Sequence, residues 1–124
     1  MAKILVVDDA SFMRTMLREI LSKEGHTILE ASNGEEMIQM YEKHSPDLVT
    51  LDITMPILNG IDGVKLLKSK HPEAEIIMCS AMGQKLMVLE ALKYGAKDFV
   101  VKPFHPDRVL EAVNKVLSKS IKRH

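Results

Sequence analysis

Short apolar runs alternate along this chain with longer stretches in which apolar residues recur every three or four positions. The short runs have the length and character of strands, and the longer stretches have the period of an amphipathic helix. Five strands are predicted near residues 3–8, 26–31, 48–52, 75–80 and 97–101. Five helices are predicted near residues 11–24, 34–43, 60–70, 84–93 and 106–121. Strict alternation of this kind predicts an α/β fold with a parallel sheet, helices on both faces and right-handed crossovers.

Turn and capping residues mark the boundaries of several predicted helices. Ser11 is predicted to cap the N-terminus of the first helix. Gly25 stands where a helix usually ends in a left-handed residue. The pair Asn33-Gly34 opens the second helix, and Pro106 suits the first turn of the last one. The connections between elements are therefore short.

Three of the apolar runs stop at charged residues. Asp8 and Asp9 follow the first run, Asp52 ends the third strand, and Lys102 follows the fifth. Such runs are typical of strands that are buried on both faces of a parallel sheet. In an open α/β sheet, ligands bind just beyond the carboxyl ends of the strands. Three carboxylates and one ammonium at that edge suit a divalent metal ion and a phosphoryl group.

Each acidic residue has a chemical interpretation and a structural one. Asp8 and Asp9 repel each other unless a cation neutralises them, and Mg²⁺ is the expected cation because it prefers hard oxygen ligands. The alternative is a turn in which one aspartate caps the first helix. Asp52 could attack phosphorus as a nucleophile and form an acyl phosphate. The alternative is a strand-terminal aspartate that caps a turn.

Two further residues lie at the same predicted edge. Ser80 ends the fourth strand, where its hydroxyl could bond to a phosphoryl oxygen or cap the next helix. Lys102 precedes a proline, which keeps it out of helical geometry and could aim its ammonium at the site. The alternative for Lys102 is a solvated strand end. The combination of groups in a consistent chain order is more specific than any one of them.

Composition narrows the classes of function. With 124 residues, of which 46% are hydrophobic and 27% charged, a single domain without a separate output module is expected. The formal net charge of zero does not favour nucleic-acid binding. No apolar stretch is long enough to span a bilayer and no signal peptide is evident, so a cytoplasmic protein without membrane insertion is expected. Cys79, the single cysteine, is expected to be a buried residue.

Over essentially its whole length the chain resembles the receiver domain of bacterial two-component response regulators. The matching segments are Val7-Asp8-Asp9, Asp52-Ile53-Thr54-Met55-Pro56, Asn59-Gly60, Ser80-Ala81, Gly95-Ala96-Lys97-Asp98-Phe99 and Lys102-Pro103-Phe104. The segment Cys79–Gln84 resembles most the stand-alone chemotaxis response regulators. The resemblance implies a flavodoxin-like, doubly wound sheet of five strands in the order 2-1-3-4-5.

The resemblance also implies a role for each residue at the acidic edge. Asp52 is the implied phosphoacceptor. Asp9, Asp52 and the backbone carbonyl of Thr54 are the implied ligands of Mg²⁺, with Asp8 acting on the metal through water. Lys102 is implied to contact the phosphoryl group.

Two residues would turn this chemistry into a signal. Ser80 is implied to shift toward the aspartyl phosphate, and Phe99 stands at the family's switching aromatic position. Because phenylalanine has no hydroxyl, a switch at Phe99 would depend on packing and rotamer alone. Thr54 and Met82, two residues after Asp52 and Ser80, are expected to overhang the site and tune the lifetime of the phosphoryl group.

The implied function is Mg²⁺-dependent transfer of a phosphoryl group from the phosphohistidine of a histidine kinase to Asp52. The protein would then be a signalling regulator rather than an enzyme with external substrates. Its expected partners are the kinase, a target that binds the phosphorylated form and a phosphatase; nucleic acid is not one of them, and the protein is expected to be monomeric. The chemotaxis-like segment favours the flagellar motor switch as the target.

Other functions remain open at this point. A phosphorelay intermediate, which passes the group to another histidine protein, would use the same residues. An aspartyl-nucleophile phosphatase would need a second aspartate where Thr54 stands. A flavodoxin-like binding module would require a Ser/Thr/Gly-rich loop after the first strand to bind phosphate. Asp8 and Asp9 stand at that place and would repel a phosphate in the absence of a metal ion. A receiver that is only a scaffold is disfavoured because the set of site residues is complete.

Overall fold

The computed structural model describes residues 1–55 and 58–122, with side chains up to residue 119. The strands are β1 (Lys3–Val7), β2 (Thr27–Ala31), β3 (Leu48–Asp52), β4 (Ile76–Ser80) and β5 (Asp98–Val101). The helices are α1 (Ser11–Ser22), α2 (Gly34–His44), α3 (Gly60–Lys70), α4 (Lys85–Lys93) and α5 (Pro106–Lys122). All ten predicted elements are confirmed, with their ends within two residues of the predicted ones.

The five strands form one parallel sheet in the order β2-β1-β3-β4-β5. This is the flavodoxin-like arrangement that the resemblance implied. The register brings Leu51 beside Val7 and Asp52 beside Cys79, so that neighbouring strands end at nearly the same level. All five strands point the same way, and the residues that follow them therefore meet at one edge of the sheet.

Side chains alternate between two cores on the opposite faces of the sheet. In β1, Leu5 and Val7 belong to the core under α2, α3 and α4, whereas Ile4 and Val6 belong to the core under α1 and α5. Both faces of β3 are buried along its whole length, as predicted, and both faces of β4 are buried as well. Cys79 in β4 is only 2% exposed, which confirms its expected burial. The site at the carboxyl edge thus rests on strands that are held from both sides.

Two predictions from the sequence were wrong. The run in β5 was expected to be buried on both faces, but β5 lies at the edge of the sheet, and Val101 is 36% exposed. Ser11 was predicted to cap α1, but it is the first residue of that helix. The cap is Ala10, which has no side-chain hydrogen bond.

Other predicted helix boundaries are confirmed. The side chain of Asn33 accepts a hydrogen bond from the Glu36 amide and so caps α2. Gly25 has a φ of 86°, a left-handed conformation that suits glycine after a helix. Within the described part of the chain, none of the helices is long and apolar enough to cross a membrane.

Candidate functional site

Three carboxylates converge at the carboxyl edge of the sheet. Asp8 and Asp9 follow β1, Asp52 ends β3, and each offers a carboxylate oxygen within 4.8 Å of the others. Asp8 and Asp52 are almost completely buried, whereas Asp9 is exposed. The sequence prediction that carboxylates from separate strands meet at this edge is confirmed.

Lys102 places its ammonium between the two buried carboxylates. Its Nζ donates to Asp8 Oδ2 at 3.0 Å and to Asp52 Oδ1 at 3.0 Å. The backbone amide of Lys102 also donates to the Ser80 carbonyl at 2.7 Å, which holds the chain after β5 against the end of β4. The bond between Lys102 and Pro103 is cis. The lysine is therefore directed into the site, as the sequence predicted, and is not a solvated strand end.

The charges in this cluster act on one another. Burial raises the pKa of Asp52, and the neighbouring charges of Asp8 and Asp9 raise it further, while the hydrogen bond from Lys102 opposes the rise. Burial alone would lower the pKa of Lys102, but its bonds to Asp8 and Asp52 outweigh this effect and raise the pKa. The ammonium is therefore held in its charged form between two carboxylates.

The cluster fits a divalent metal ion. Three carboxylates and one ammonium leave a local charge of about −2 when all four groups are ionised, and close like charges of this kind favour a bound cation. The donors are hard oxygens, which Mg²⁺ prefers. Asp8 already accepts two hydrogen bonds, from Lys102 and from the Ala10 amide at 2.9 Å, whereas Asp9 is open to solvent. The acidic cluster is therefore consistent with a site for a divalent metal ion.

The backbone around Asp52 is held by a close approach of α3. Gly60, the first residue of α3, donates its amide to the Ile53 carbonyl at 2.6 Å. A Cβ atom at Gly60 would lie only 2.5 Å from the Asp52 carbonyl oxygen and 2.6 Å from the Ile53 Cα. Only glycine fits here without moving the backbone. The position of Asp52 therefore depends on a glycine that lies outside the acidic cluster.

Ser80 and Phe99 lie along one apolar groove. Ser80, the last residue of β4, is 2% exposed, and Phe99 in β5 is half-buried. A groove of about 480 Å³ runs between α4 and β5 beside the site. Its lining includes Ser80, Met82, Val88, Leu89, Phe99 and Val101. Ser80, at the end of β4, and Phe99, the predicted switching aromatic, thus line the same groove. A movement of Ser80 could therefore affect the packing of Phe99.

Two residues in contact with the site were not singled out from the sequence. The guanidinium of Arg14 donates to the Asp8 carbonyl at 2.6 Å and so fixes the turn after β1. The carboxamide of Gln84 accepts from the Ala81 amide and donates to the Thr54 hydroxyl, both at 2.7 Å. The contact between Gln84 and Thr54 could not be identified from a local pattern, because the two residues lie 30 positions apart in the chain.

Comparison with known proteins gives a consistent picture. Residues 4–114 match the family described as the response regulator receiver domain. The chemotaxis protein CheY of Thermotoga maritima is 56% identical over 92% of this chain and 96% of its own length. CheY of Bacillus subtilis is also 56% identical, over 94% of this chain and 98% of its own length. A solved complex of CheX, CheY, BeF3 and Mg²⁺ from Borrelia burgdorferi matches with a TM-score of 0.86 and 39% identity, covering 92% of this chain and 87% of that one.

Proposed function

Because the chain belongs to the family of response regulator receiver domains, we propose that it signals by accepting a phosphoryl group on Asp52. It is a receiver of the CheY type, acting in two-component signalling and chemotaxis, and it is not an enzyme in the ordinary sense. The observation that carries the proposal is the convergence of three carboxylates and the Lys102 ammonium at one edge of the sheet.

The proposed reaction is a displacement at phosphorus. An oxygen of the Asp52 carboxylate attacks the phosphorus of a phosphohistidine, a P–O bond forms, and the P–N bond breaks with its electron pair leaving on the imidazole nitrogen. Enzymes catalyse such transfers mainly by positioning the groups and by neutralising charge on the phosphoryl oxygens. Lys102 Nζ lies 3.0 Å from Asp52 Oδ1. From there its ammonium can exchange the hydrogen bond to the carboxylate for one to an incoming phosphoryl oxygen.

The metal would be held by Asp9, Asp52 and the backbone carbonyl of Thr54, with Asp8 acting through water. Bound Mg²⁺ would supply positive charge to the phosphoryl oxygens during transfer. Asp8 is suited to an indirect role, because both of its carboxylate oxygens already accept hydrogen bonds from within the protein. The solved complex from Borrelia burgdorferi contains Mg²⁺ together with a related CheY, which supports the presence of a magnesium site but not the choice of individual ligands.

The signal would leave the site through Ser80 and Phe99. Phosphorylation adds about one to two negative charges and new acceptor oxygens at Asp52. In the proposed switch, Ser80 moves toward these oxygens and Phe99 repacks in the space beside it. The groove between α4 and β5 then changes shape, which biases a two-state equilibrium rather than creating a new fold.

We propose that a histidine kinase donates the phosphoryl group. We also propose that the flagellar motor switch binds the phosphorylated protein on the side that carries the groove between α4 and β5. Leu89 on α4 and Val101 on β5 are exposed apolar residues that line the groove, and Leu86 on α4 is exposed as well. A phosphatase is proposed to end the signal, and the relative solved with CheX makes a CheX-type protein a candidate partner. This role corresponds to a cytoplasmic protein.

The test is direct phosphorylation. The protein is incubated with a small phosphodonor and Mg²⁺, and a phosphoryl adduct that is stable in acid and labile in base is sought by mass spectrometry. The adduct is expected on the wild type and on Asp107→Asn, an exposed aspartate outside the cluster, but not on Asp52→Asn. No adduct on the wild type, or an undiminished adduct on Asp52→Asn, would overturn the proposal.

A further inference from the structure

The side chain of Gln84 links the two loops that follow the phosphoacceptor strand and its neighbour. Its Oε1 accepts a hydrogen bond from the Ala81 amide, directly after Ser80, at 2.7 Å. Its Nε2 donates to the Thr54 hydroxyl, two residues after Asp52, at 2.7 Å. Gln84 is the N-cap residue of α4, but its side chain makes no capping bond there. We call this pair of hydrogen bonds the Gln84 bridge.

The loop that the bridge holds has little other support from packing. Ala81, Met82 and Gly83 are all exposed. Gly83 has a φ of 86°, and a Cβ atom placed on it would meet nothing within 4 Å. The left-handed glycine turns the chain back so that Gln84 can reach the Ala81 amide. Hydrogen bonds, rather than burial, therefore set the position of this loop.

We propose that Gln84 is a positioning residue that holds Ser80 in its unphosphorylated position. This inference rests on the proposed function, in which Ser80 moves toward the phosphoryl group on Asp52. Ala81 is bonded covalently to Ser80, so a movement of Ser80 carries the Ala81 amide with it. The other end of the bridge is attached to the loop after Asp52, so this movement strains or breaks the bridge. The bridge thus favours the unphosphorylated state over the phosphorylated one.

The expected size of the effect follows from the free energy of about one net hydrogen bond. When only a fraction of the molecules is competent to bind, the apparent affinity falls by that fraction. A bridge worth one ordinary net hydrogen bond would change the competent fraction by about two- to tenfold. Removing the bridge should therefore increase the affinity for a phosphoryl analogue by about two- to tenfold.

The experiment measures binding of BeF3⁻, an analogue of the phosphoryl group, at a fixed saturating concentration of Mg²⁺. Wild type, Gln84→Met and Gln39→Met are titrated and followed by amide NMR spectra. Methionine keeps the length of glutamine but removes both hydrogen bonds, and Gln39 is an exposed glutamine on α2 that serves as the matched control. Gln84→Met is expected to bind more tightly by about two- to tenfold, and Gln39→Met to bind like the wild type.

The spectra of the free proteins give a second readout that general destabilisation would not produce. In Gln84→Met without BeF3⁻, the Ser80 and Val101 amide signals should move along the line that joins the free and bound wild-type positions. Thr54→Val, which removes one of the two hydrogen bonds, should shift the affinity and these signals in the same direction. In the Gln84→Met background, Thr54→Val should change the affinity by less than it does in the wild type, because the bridge is already absent.

The outcomes separate this inference from the proposed function. If the wild type binds BeF3⁻ but Gln84→Met binds equally or more weakly, the positioning role of Gln84 is refuted and the phosphoacceptor site stands. The positioning role is also refuted if the free-state signals of Gln84→Met do not move toward the bound positions. If the wild type fails to bind BeF3⁻ in the presence of Mg²⁺, the proposed function itself fails.

Discussion

Replacing Asp9 with asparagine should stabilise the metal-free protein. Asp9 offers a carboxylate oxygen within 4.8 Å of those of Asp8 and Asp52, and Lys102 is already bonded to the two buried carboxylates. Two unit charges at such a distance repel by about 1 kcal/mol in a water-like dielectric, which suits an exposed group. The Lys102 ammonium, which is bonded to both of the other carboxylates, is taken to offset about one of the two repulsions. The free energy of unfolding should therefore rise by about 1 kcal/mol, which corresponds to about 4 °C in melting temperature.

With Mg²⁺ bound, the wild type should become more stable than Asp9→Asn. A ligand that binds only the folded state at 100 times its dissociation constant stabilises it by about 2.7 kcal/mol. Asp9→Asn removes one proposed metal ligand, so its gain from Mg²⁺ should be smaller than that of the wild type. Thermal melts in EDTA and in a Mg²⁺ series measure both effects, and Glu90→Gln on α4 is the control for loss of an exposed carboxylate elsewhere. Destabilisation of Asp9→Asn in EDTA, or an equal gain from Mg²⁺ in both proteins, would refute the electrostatic reasoning.

Three further predictions concern other parts of the molecule. Met82→Asn should speed loss of the phosphoryl group, because the exposed methionine, two residues after Ser80, is expected to overhang the site and hinder water; an unchanged dephosphorylation rate would contradict this. Burial alone would raise the pKa of Glu30, but its bonds to two arginines lower it. The stability that these bonds provide is therefore present above the ordinary glutamate pKa and lost as the pH falls through the lowered value. Glu30→Gln should lower the free energy of unfolding by about 0.5–1 kcal/mol at pH 7 and by progressively less toward pH 3, as urea unfolding at the two pH values would show. Gly60→Ala should destabilise the protein by about 1–3 kcal/mol, because its Cβ would collide with the Asp52 backbone. At Gly63 the nearest atom to a Cβ is a flexible leucine side chain at 3.1 Å, so Gly63→Ala should cost less in the same denaturation assay.

The acidic site could be predicted because it depends on topology more than on local detail. Once alternating strands and helices indicate a parallel sheet, the residues that follow Val7, Leu51 and Val101 must lie at one edge. The meeting of Asp8 and Asp52 with Lys102 therefore follows from the periodicity of the chain, and the observed hydrogen bonds agree with it.

Features that depend on how distant parts of the chain pack together were harder to predict from the sequence. The exposure of β5 follows from its place at the edge of the sheet, and a strand's own apolar run does not reveal its place. Ser11 has the right side chain for a cap, but the helix begins one residue earlier than capping would require. The bond between Gln84 and Thr54 joins two loops whose conformations must be known first.

The short edge strand β5 has a consequence for self-association. An open strand edge can pair with the same edge of another molecule and start aggregation, and short length, charge and proline are common protections. β5 has four residues, begins at Asp98 and is followed by Lys102 and Pro103. A second molecule would find little backbone to extend the sheet, although Phe99 and Val101 remain accessible beside the groove. This side of the molecule can therefore present apolar side chains at high protein concentration with little tendency to recruit a sixth strand.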